Sequence, residues 1–517
     1  MERRVIIAIV LSVLILMLFQ YLIPKPVPKQ EAVGPAPVQE KGKEATVAPP
    51  KGEERAAPPE EMVPLPPPSE VKTIHVENNL FSADLSSLGG TMVSWHLKKY
   101  HDQEGHAVSL LQEKPPTYAL ALGVKDDFSI SRKNFTVRGS DLLLDKPGES
   151  GTLVFEYVSP KYTIKRTYTF SYDSYAFTLV DEVRGLPEYE ITLGGHFGIF
   201  NPEPSRYGHV GPVVLEGTDR IEIKTKKVEE TRLFTGNIKW VAMEDKYFFS
   251  AIVPEGLPLE AKVWRLGTNV AVAVEGEPGE PGVYPLTIYA GPKEISKLKA
   301  LGKGLESVVD FGFFSIIARP LFWLLNQLHK VTGNYGWAIV LLTIIIRIPF
   351  IPIVSKGQTS MKRLQQLQPR MQEIKEKFKK DPKRMQQEMM QMYKKNKVNP
   401  MGGCLPMLLQ IPVFFALYKV LLVSIELREA PFMLWIHDLS QKDPYYVLPL
   451  VMGATMFLQQ KMTPTAGDPR QQKMMLFMPI IFTFLFLNFA SGLVLYWLVN
   501  NVLSIAQQFY INRKKTE

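Results

Sequence analysis

Cysteine is almost absent from this chain. A single Cys404 in 517 residues excludes an intrachain disulfide, so any exported part must stand on its own hydrophobic core. Gly402-Gly403-Cys404 lies too deep in the chain to be a lipoprotein cleavage box, and the thiol reads as free. Motif chemistry is missing as well: there is no G-x-x-x-x-G-K-[ST] loop, no H-E-x-x-H, no G-x-S-x-G and no cysteine-based metal spacing. The eight histidines are scattered, and His75, His96, His101, His106, His196 and His209 fall in or beside one region of the chain. A sugar-active site there would use His196 with a carboxylate, but isolated histidines are usually structural. The expectation is a protein that is not an enzyme and holds no cofactor or metal. Charge is missing too where it would be costly, since residues 474–512 contain no charged residue and no histidine.

What charge there is has been concentrated. Residues 356–397 carry thirteen Lys and Arg against four Asp and Glu, which equals the +9 of the whole chain, so everything else sums to zero. This segment lies between apolar runs long enough to cross a membrane. Lys and Arg in short flanking loops fix orientation, so it belongs on the cytoplasmic side. At the N-terminus, residues 5–23 are mostly apolar behind Arg3 and Arg4, and no small-x-small cleavage site follows. Residues 1–23 therefore read as an uncleaved signal-anchor helix with its N-terminus in the cytoplasm.

The chain then changes character three times. Residues 24–70 are a proline-rich tether, with 13 of the 41 prolines between 24 and 69 among Lys, Glu and Ala, a composition that cannot bury enough apolar surface to fold. Residues 71–293 alternate in short runs, such as Tyr162, Ile164, Tyr168 and Phe170, or Tyr175, Phe177, Leu179 and Val183, punctuated by Gly, Pro, Asp and Asn. That pattern predicts a large antiparallel β domain, a sandwich. Residues 294–334 hold a linker and an apolar stretch, 308–328, whose Arg319 and Pro320 argue for an amphipathic helix on the outer membrane surface.

The helical core covers residues 335–512, with a short basic tail at 513–517. Further spans are expected at 335–354, 404–425, 445–460, 474–489 and 493–507, with a tight hairpin at Ala490-Ser491-Gly492. Six spans place both termini inside. They also place the outer loop 426–444, with four acids against two bases, outside, in agreement with the positive-inside rule. Several spans are only about 16 residues, short for a ~30 Å hydrocarbon core, and local thinning of the bilayer accommodates such a mismatch.

Arg347 is the residue that asks for an explanation. It lies about 10 Å inside the cytoplasmic boundary of its span, where an arginine costs about 2.5 to 3.5 kcal/mol on the insertion scale. One reading is a side chain that snorkels to the inner headgroups. The other is a hydrated cavity, favoured because Thr343 lies one turn away, because Trp497, Asn500, Asn501, Ser504, Gln507 and Gln508 recur at helical spacing, and because no acidic residue lies in these spans. Gln410 is a further wall candidate, and hydrogen bonding between helices is the competing use of the same polar stripe. Lys419, near the outer boundary, reads as snorkelling. In the basic segment, Met361, Leu364, Leu367, Met371, Ile374 and Phe378, then Met385, Met389, Met392 and Tyr393, predict a helical hairpin at 356–399 that turns at Asp381-Pro382. Its charged exterior offers Lys362, Arg363, Arg370, Lys375, Lys379, Lys380, Lys383 and Arg384 to anionic headgroups, ribosomal RNA or apolar nascent segments.

Three strings, Asn399-Pro400-Met401-Gly402-Gly403-Cys404-Leu405-Pro406, Phe432-Met433-Leu434-Trp435-Ile436-His437-Asp438-Leu439 and Ser491-Gly492-Leu493-Val494-Leu495-Tyr496-Trp497, resemble the YidC/Oxa/Alb family of membrane-protein insertases. The likeness covers residues 311–512, and the anchor, tether and β domain resemble the family's Gram-negative form. It implies an inner-membrane protein with a five-helix insertase core and a supersandwich-like periplasmic domain. It also implies a hydrophilic groove open to cytoplasm and lipid, in which Arg347 matches the groove arginine, Thr343 its neighbour, and Tyr496-Trp497 the aromatic pair that meets substrate. The family often has Tyr where this chain has Trp497, which brings no hydroxyl. Nascent membrane proteins, the SecYEG translocon with its accessory proteins, and the phospholipid bilayer are the implied partners. The short tail gives a ribosome little to hold. The rival class is a small-anion transporter or channel, although no paired repeats are visible.

Overall fold

The computed structural model describes residues 70–513, except 103, 112–118, 202–207, 268, 278–281, 397, 399–404 and 464–468. The expected anchor, the tether up to residue 69, Cys404 with its flanking string, and the tail after Arg513 lie outside the described residues.

The alternating runs do form strands, and two of them show how the β core is built. Strand Thr163–Ser171 buries Ile164, Tyr168 and Phe170, and its antiparallel neighbour Ala176–Arg184 buries Phe177, Leu179 and Val183. In a pleated strand every second side chain points the same way. Arg166 and Asp181 therefore point inward too, at 0% exposure, and the register sets them opposite each other. Both strands belong to a nine-stranded antiparallel sheet that runs from Asp219–Glu222 at one edge to Thr136–Arg138 at the other. Two five-stranded sheets complete the domain, one from Arg232–Phe234 to Ala121–Gly123 and one from Ala107–Ser109 to Leu142–Leu143. One pairing departs from the antiparallel expectation, for Thr73–Glu77 meets Leu142–Leu143 in parallel. These strands are not hairpin neighbours, and a long connection lets the chain return in either direction.

Ten helices are described from residue 295 onward. Helix α1 (Ile295–Ala300) leaves the β domain, and α2 (Ser315–Thr332) contains Pro320. Helix α2 buries Ala318, Phe322 and Leu325 while Ile316 and Trp323, seven residues apart on one face, stay exposed. Gly333, at φ +66°, ends α2 in the left-handed conformation that glycine adopts without strain, and the side chain of Asn334 caps the next helix by accepting from the N–H of Trp337.

Helices α3 (Tyr335–Arg347) and α4 (Ile351–Gln366), joined by the 3-10 turn Ile348–Phe350, make one continuous helix, Tyr335–Gln366. Among the described residues this is the one helix long and apolar enough to cross a membrane; Leu409–Val423 and Leu476–Phe486 are shorter apolar helices. The span expected to stop at 354 thus runs straight on into the basic segment. Pro349 and Pro352 tighten the middle, because neither has an N–H to give the preceding turn. The basic segment continues with α5 (Gln368–Lys377) and α6 (Pro382–Lys395), which Asp381 caps by accepting from the N–H of Arg384. Its first arm is two helices rather than one, since Pro369 interrupts the hydrogen-bond ladder. The apolar seam is as its spacing predicts: Leu364 and Met392 are buried, Met371, Phe378, Met385 and Met389 are half-buried, and the Tyr393 hydroxyl lies 4.0 Å from Met371 Sδ.

Helices α7 (Leu405–Val423), α8 (Val447–Met462), α9 (Pro469–Phe486) and α10 (Ser491–Arg513) complete the core. Helices α8 and α9 approach closely at Gly453, where any Cβ would collide with Thr483.

The loop between α7 and α8 joins the two halves. Asn334 Nδ2, at the start of α3, donates to the Pro431 carbonyl at 2.9 Å. Three residues earlier, Arg428 donates to the His101 carbonyl and lies 5.1 Å over the Phe248 ring of the β domain. The start of α3 is therefore on the β-domain side. At 1.5 Å per residue, the thirty-two residues of Tyr335–Gln366 run about 48 Å from it, with the basic segment beginning about 32 Å along at Lys356.

Candidate functional site

The polar site forms where α3 ends. The guanidinium of Arg347 donates from Nη1 to Asn500 Oδ1 at 2.6 Å and from Nη2 to Ser504 Oγ at 2.7 Å. Asn500 and Ser504 are four residues apart on α10 and share a face. Ser504 spends its own proton on the Asn500 carbonyl at 2.7 Å, so its oxygen can only accept from the arginine. Arg347 Nε is closed off from solvent with no hydrogen-bond partner, and no carboxylate pairs with this side chain among the described residues. One turn further, Gln507 Nε2 donates to the Ile351 carbonyl at 3.2 Å and to Ser355 Oγ at 3.1 Å, leaving Gln507 Oε1 closed off and unpartnered. Gln358 Oε1 on α4 is in the same condition. Several buried polar atoms along one face therefore keep unused hydrogen-bonding capacity, a state that native interiors rarely tolerate without water or a ligand.

The other sequence-identified residues divide into those that join this face and those that build its wall. Gln410 Nε2 on α7 donates to the buried Tyr496 hydroxyl at 2.7 Å, tying α7 to α10 one turn before Asn500. Trp497 packs edge-on to Phe414 at 4.8 Å and against Phe486 at 5.3 Å, so its role here is apolar packing between α7, α9 and α10. Thr343 is buried and donates to the Ile339 carbonyl of its own helix at 2.7 Å. The structure does not bring Asn501 to Arg347. It turns toward α8, with Nδ2 3.4 Å from both the Met452 carbonyl and Thr455 Oγ1. Adjacent helical residues differ by about 100° in direction, so of Asn500 and Asn501 only one can face the arginine. Ser355 was not singled out from sequence; its signal was its place eight residues after Arg347, on the same helical face.

On the hairpin, Arg363, Arg370, Lys375, Lys379, Lys380, Lys383 and Arg384 are exposed and Lys362 is half-buried. None makes a salt bridge among the described residues. Lys419 lines a small cleft with Asp310 and Glu222 under the β domain. Among the described residues of the β domain, neither His196 nor His75 enters a catalytic arrangement. His196 Nε2 meets Asn269 Nδ2 at 2.5 Å rather than a carboxylate. In the Ser94, Asp84, His75 cluster the carboxylate is central, taking Ser94 Oγ at 2.6 Å and His75 Nδ1 at 2.7 Å, so the imidazole never reaches the hydroxyl it would have to activate.

A β-rich domain on an α-helical membrane core, with an unpaired arginine held between two of the core helices and a cationic hairpin at the far end, defines an integral membrane protein with an internal polar site. Family models agree: the 60Kd inner membrane protein family matches residues 327–517, and the YidC periplasmic domain matches 73–324. Membrane protein insertase YidC of Geotalea daltonii is 40% identical over 99% of each chain, and that of Citrifermentans bemidjiense 42% over 99% of each. A crystal structure of active YidC insertase with its first transmembrane domain resolved aligns at 18% identity and TM-score 0.40, covering 85% of this chain and 92% of that one. The chain belongs to the YidC family of membrane protein insertases. It is an inner-membrane protein with a periplasmic β-rich domain, and it inserts nascent membrane proteins without being an enzyme.

Proposed function

We propose that the polar face around Arg347 is a hydrated groove that receives the hydrophilic tail or hairpin of a nascent membrane protein. Arg347, Asn500, Ser504, Gln410 and Tyr496 are its polar lining, Trp497 is an apolar shoulder, and Thr343 and Asn501 keep the helices that carry it in place. The observation that carries this reading is the cradle of Arg347: two neutral acceptors hold the guanidinium, and no carboxylate cancels its charge. A carboxylate brought to 4 Å would gain about 4 kcal/mol at an effective dielectric constant of 20. Polar walls meanwhile reduce the cost of taking backbone groups out of bulk water. The apolar segment then leaves sideways into lipid, gaining about 25 cal/mol per Å² of apolar surface removed from water. No nucleotide enters this scheme.

The same reading gives six spans with both termini in the cytoplasm and a core over 335–512. The helix that carries the start of the hairpin about 32 Å, and Gln366 about 48 Å, from the β-domain side supports a cytoplasmic placement of that hairpin. There its exposed cations meet anionic headgroups and incoming chains. α2 lies in the outer interface with Ile316 and Trp323 in lipid. The protein works alone or with the Sec translocon. In proteoliposomes containing only this protein, a small Sec-independent substrate with an acidic tail should insert, and Arg347→Ala should slow that insertion about tenfold, or about 1.4 kcal/mol. Arg347→Lys should retain part of the rate. Undiminished insertion by Arg347→Ala would remove the groove from the mechanism.

A further inference from the structure

A cavity of about 240 Å³ opens at the junction of the core with the periplasmic domain. Its floor is apolar, with Leu421 of α7, Phe489 of the turn after α9, and Leu493 of α10. Lys246, in the turn between strands Ile238–Glu244 and Phe248–Pro254, and Lys442, in the loop before α8, also line it, and its lining contains no carboxylate. Neither lysine is in a salt bridge among the described residues. Asp443, next in sequence to Lys442, is fully buried and already committed, since its Oδ1 accepts from Trp435 Nε1 at 2.9 Å and from the Tyr445 N–H, and its Oδ2 from the Leu448 N–H at 2.6 Å. It leaves Lys442 without a carboxylate partner; Lys442 Nζ lies 5.8 Å from the Tyr446 ring and Lys246 Nζ 4.4 Å from the Tyr247 ring, contacts that leave both cations open to an anion.

The third feature points to a ligand on its own. Ser440 lines the cavity at 9% exposure, and its hydroxyl is closed off from solvent without a hydrogen-bond partner. A buried hydroxyl left unpaired is costly. Two cations at the rim, a donor without an acceptor inside and an apolar floor between helices together match a phosphate whose molecule continues into hydrocarbon. We propose that this cavity binds the headgroup of an anionic phospholipid of the periplasmic leaflet. The phosphate lies between Lys246 and Lys442 and accepts from Ser440, and the first acyl carbons rest on Leu421, Phe489 and Leu493. Such a lipid bridges the β domain and the membrane core at a site separate from the groove.

Native mass spectrometry of the full chain, titrated with phosphatidylglycerol, phosphatidylethanolamine or inorganic phosphate, tests this. Wild type should hold one phosphatidylglycerol more than the Lys246→Ser, Lys442→Ser double variant. Half-occupancy of that lipid should move about thirtyfold, as loss of two interfacial cations at about 1 kcal/mol each implies, and Lys246→Arg with Lys442→Arg should restore it. Equal phosphatidylglycerol retention by wild type and the serine variant would overturn the proposal. Displacement of that lipid by inorganic phosphate at matched concentration would overturn it too, because the site would then take a free anion. A headgroup-photoreactive phosphatidylglycerol offered to wild type gives a readout independent of how the variants fold. Labelling within 438–443 and 488–493 is expected, and labelling confined to the hairpin would sink the idea.

Discussion

Arg166 in the β domain and Arg347 in the helical core are both withdrawn from bulk water, yet their donors end differently. Arg166 is fully buried. Its Nε and Nη2 meet the Asp181 carboxylate at 2.9 and 3.2 Å, while Nη1 takes the carbonyls of Gly89 at 2.9 Å, Gly90 at 3.3 Å and Leu120 at 2.7 Å. The Tyr189 hydroxyl adds a bond to Asp181 Oδ2 at 2.9 Å. Arg166 thereby fastens the turn at Gly89 and the segment at Leu120 to the nine-stranded sheet, with nothing left to offer a ligand. Arg347 has two neutral partners and an idle Nε. An arginine neutralised by its own carboxylate serves the fold; one cradled by an amide and a hydroxyl is, on the proposed reading, a charge kept for an arriving substrate.

That contrast makes opposite predictions about stability. Asp181→Ala strands a buried guanidinium, a change that costs about 3–5 kcal/mol. Urea unfolding of the full chain, followed through protease resistance of the β domain, should register a loss of that size. Arg347→Ala relieves a charge that costs about 2.5 to 3.5 kcal/mol near the bilayer centre, so the core should resist unfolding at least as well as wild type. Equal losses in the two variants would erase the distinction between a structural and a waiting arginine.

A sharper test converts one site into the other. Asn500→Asp puts a carboxylate where Arg347 Nη1 now meets an amide oxygen at 2.6 Å, and so gives Arg347 the kind of partner that Asp181 gives Arg166. The core should become more resistant to unfolding while insertion of an acidic-tailed substrate slows about tenfold, or about 1.4 kcal/mol. A neutral-tailed substrate should be affected less. If both substrates insert at wild-type rate, the free charge of Arg347 is not what the groove uses.

The sequence discloses these two arginines unequally, for a physical reason. Arg347 is legible because it breaks a run of apolar residues and because Asn500 and Ser504 repeat with the helical period on a helix that carries no charge before Arg513. Arg166 and Asp181 sit in the inward phase of strands whose apolar members, Tyr168, Phe170, Phe177 and Leu179, were readable by alternation. Each charge looked like a gap in its own pattern. Only the register, which depends on how two strands meet, shows that the two gaps coincide. The partition into one nine-stranded and two five-stranded sheets was hidden for the same reason, since pairing between distant strands leaves no local period. The Gln507 bond to the Ile351 carbonyl was hidden too, because it depends on how α10 packs against the proline-tightened turn.

Glu426 supplies a third case, one whose effect depends on pH. It lies at the start of the outer loop, in the 3-10 turn Ile425–Leu427, with Glu294, Tyr100, Tyr335 and Arg428 as charged or titratable neighbours. Its carboxyl makes no salt bridge among the described residues. Burial, with a smaller push from Glu294 and some relief from a backbone N–H, raises its pKa from 4.5 to about 7. The folded state therefore binds this proton more readily than the unfolded one, so the contribution to stability is greatest below about pH 4.5, falls as pH rises toward 7, and is level above that. Glu426→Gln removes the titration. It should stabilise the full chain by about 3 kcal/mol at pH 8 and by less than about 0.5 kcal/mol at pH 4.5, since a rise from 4.5 to about 7 carries ~1.4 kcal/mol per pKa unit. An equal gain at both pH values would show that Gln merely packs better. With that pH dependence, the three buried ionisable groups fall in order: Arg166 keeps its charge by pairing, Arg347 keeps it in a neutral polar cradle, and Glu426, with neither, gives it up as the pH falls.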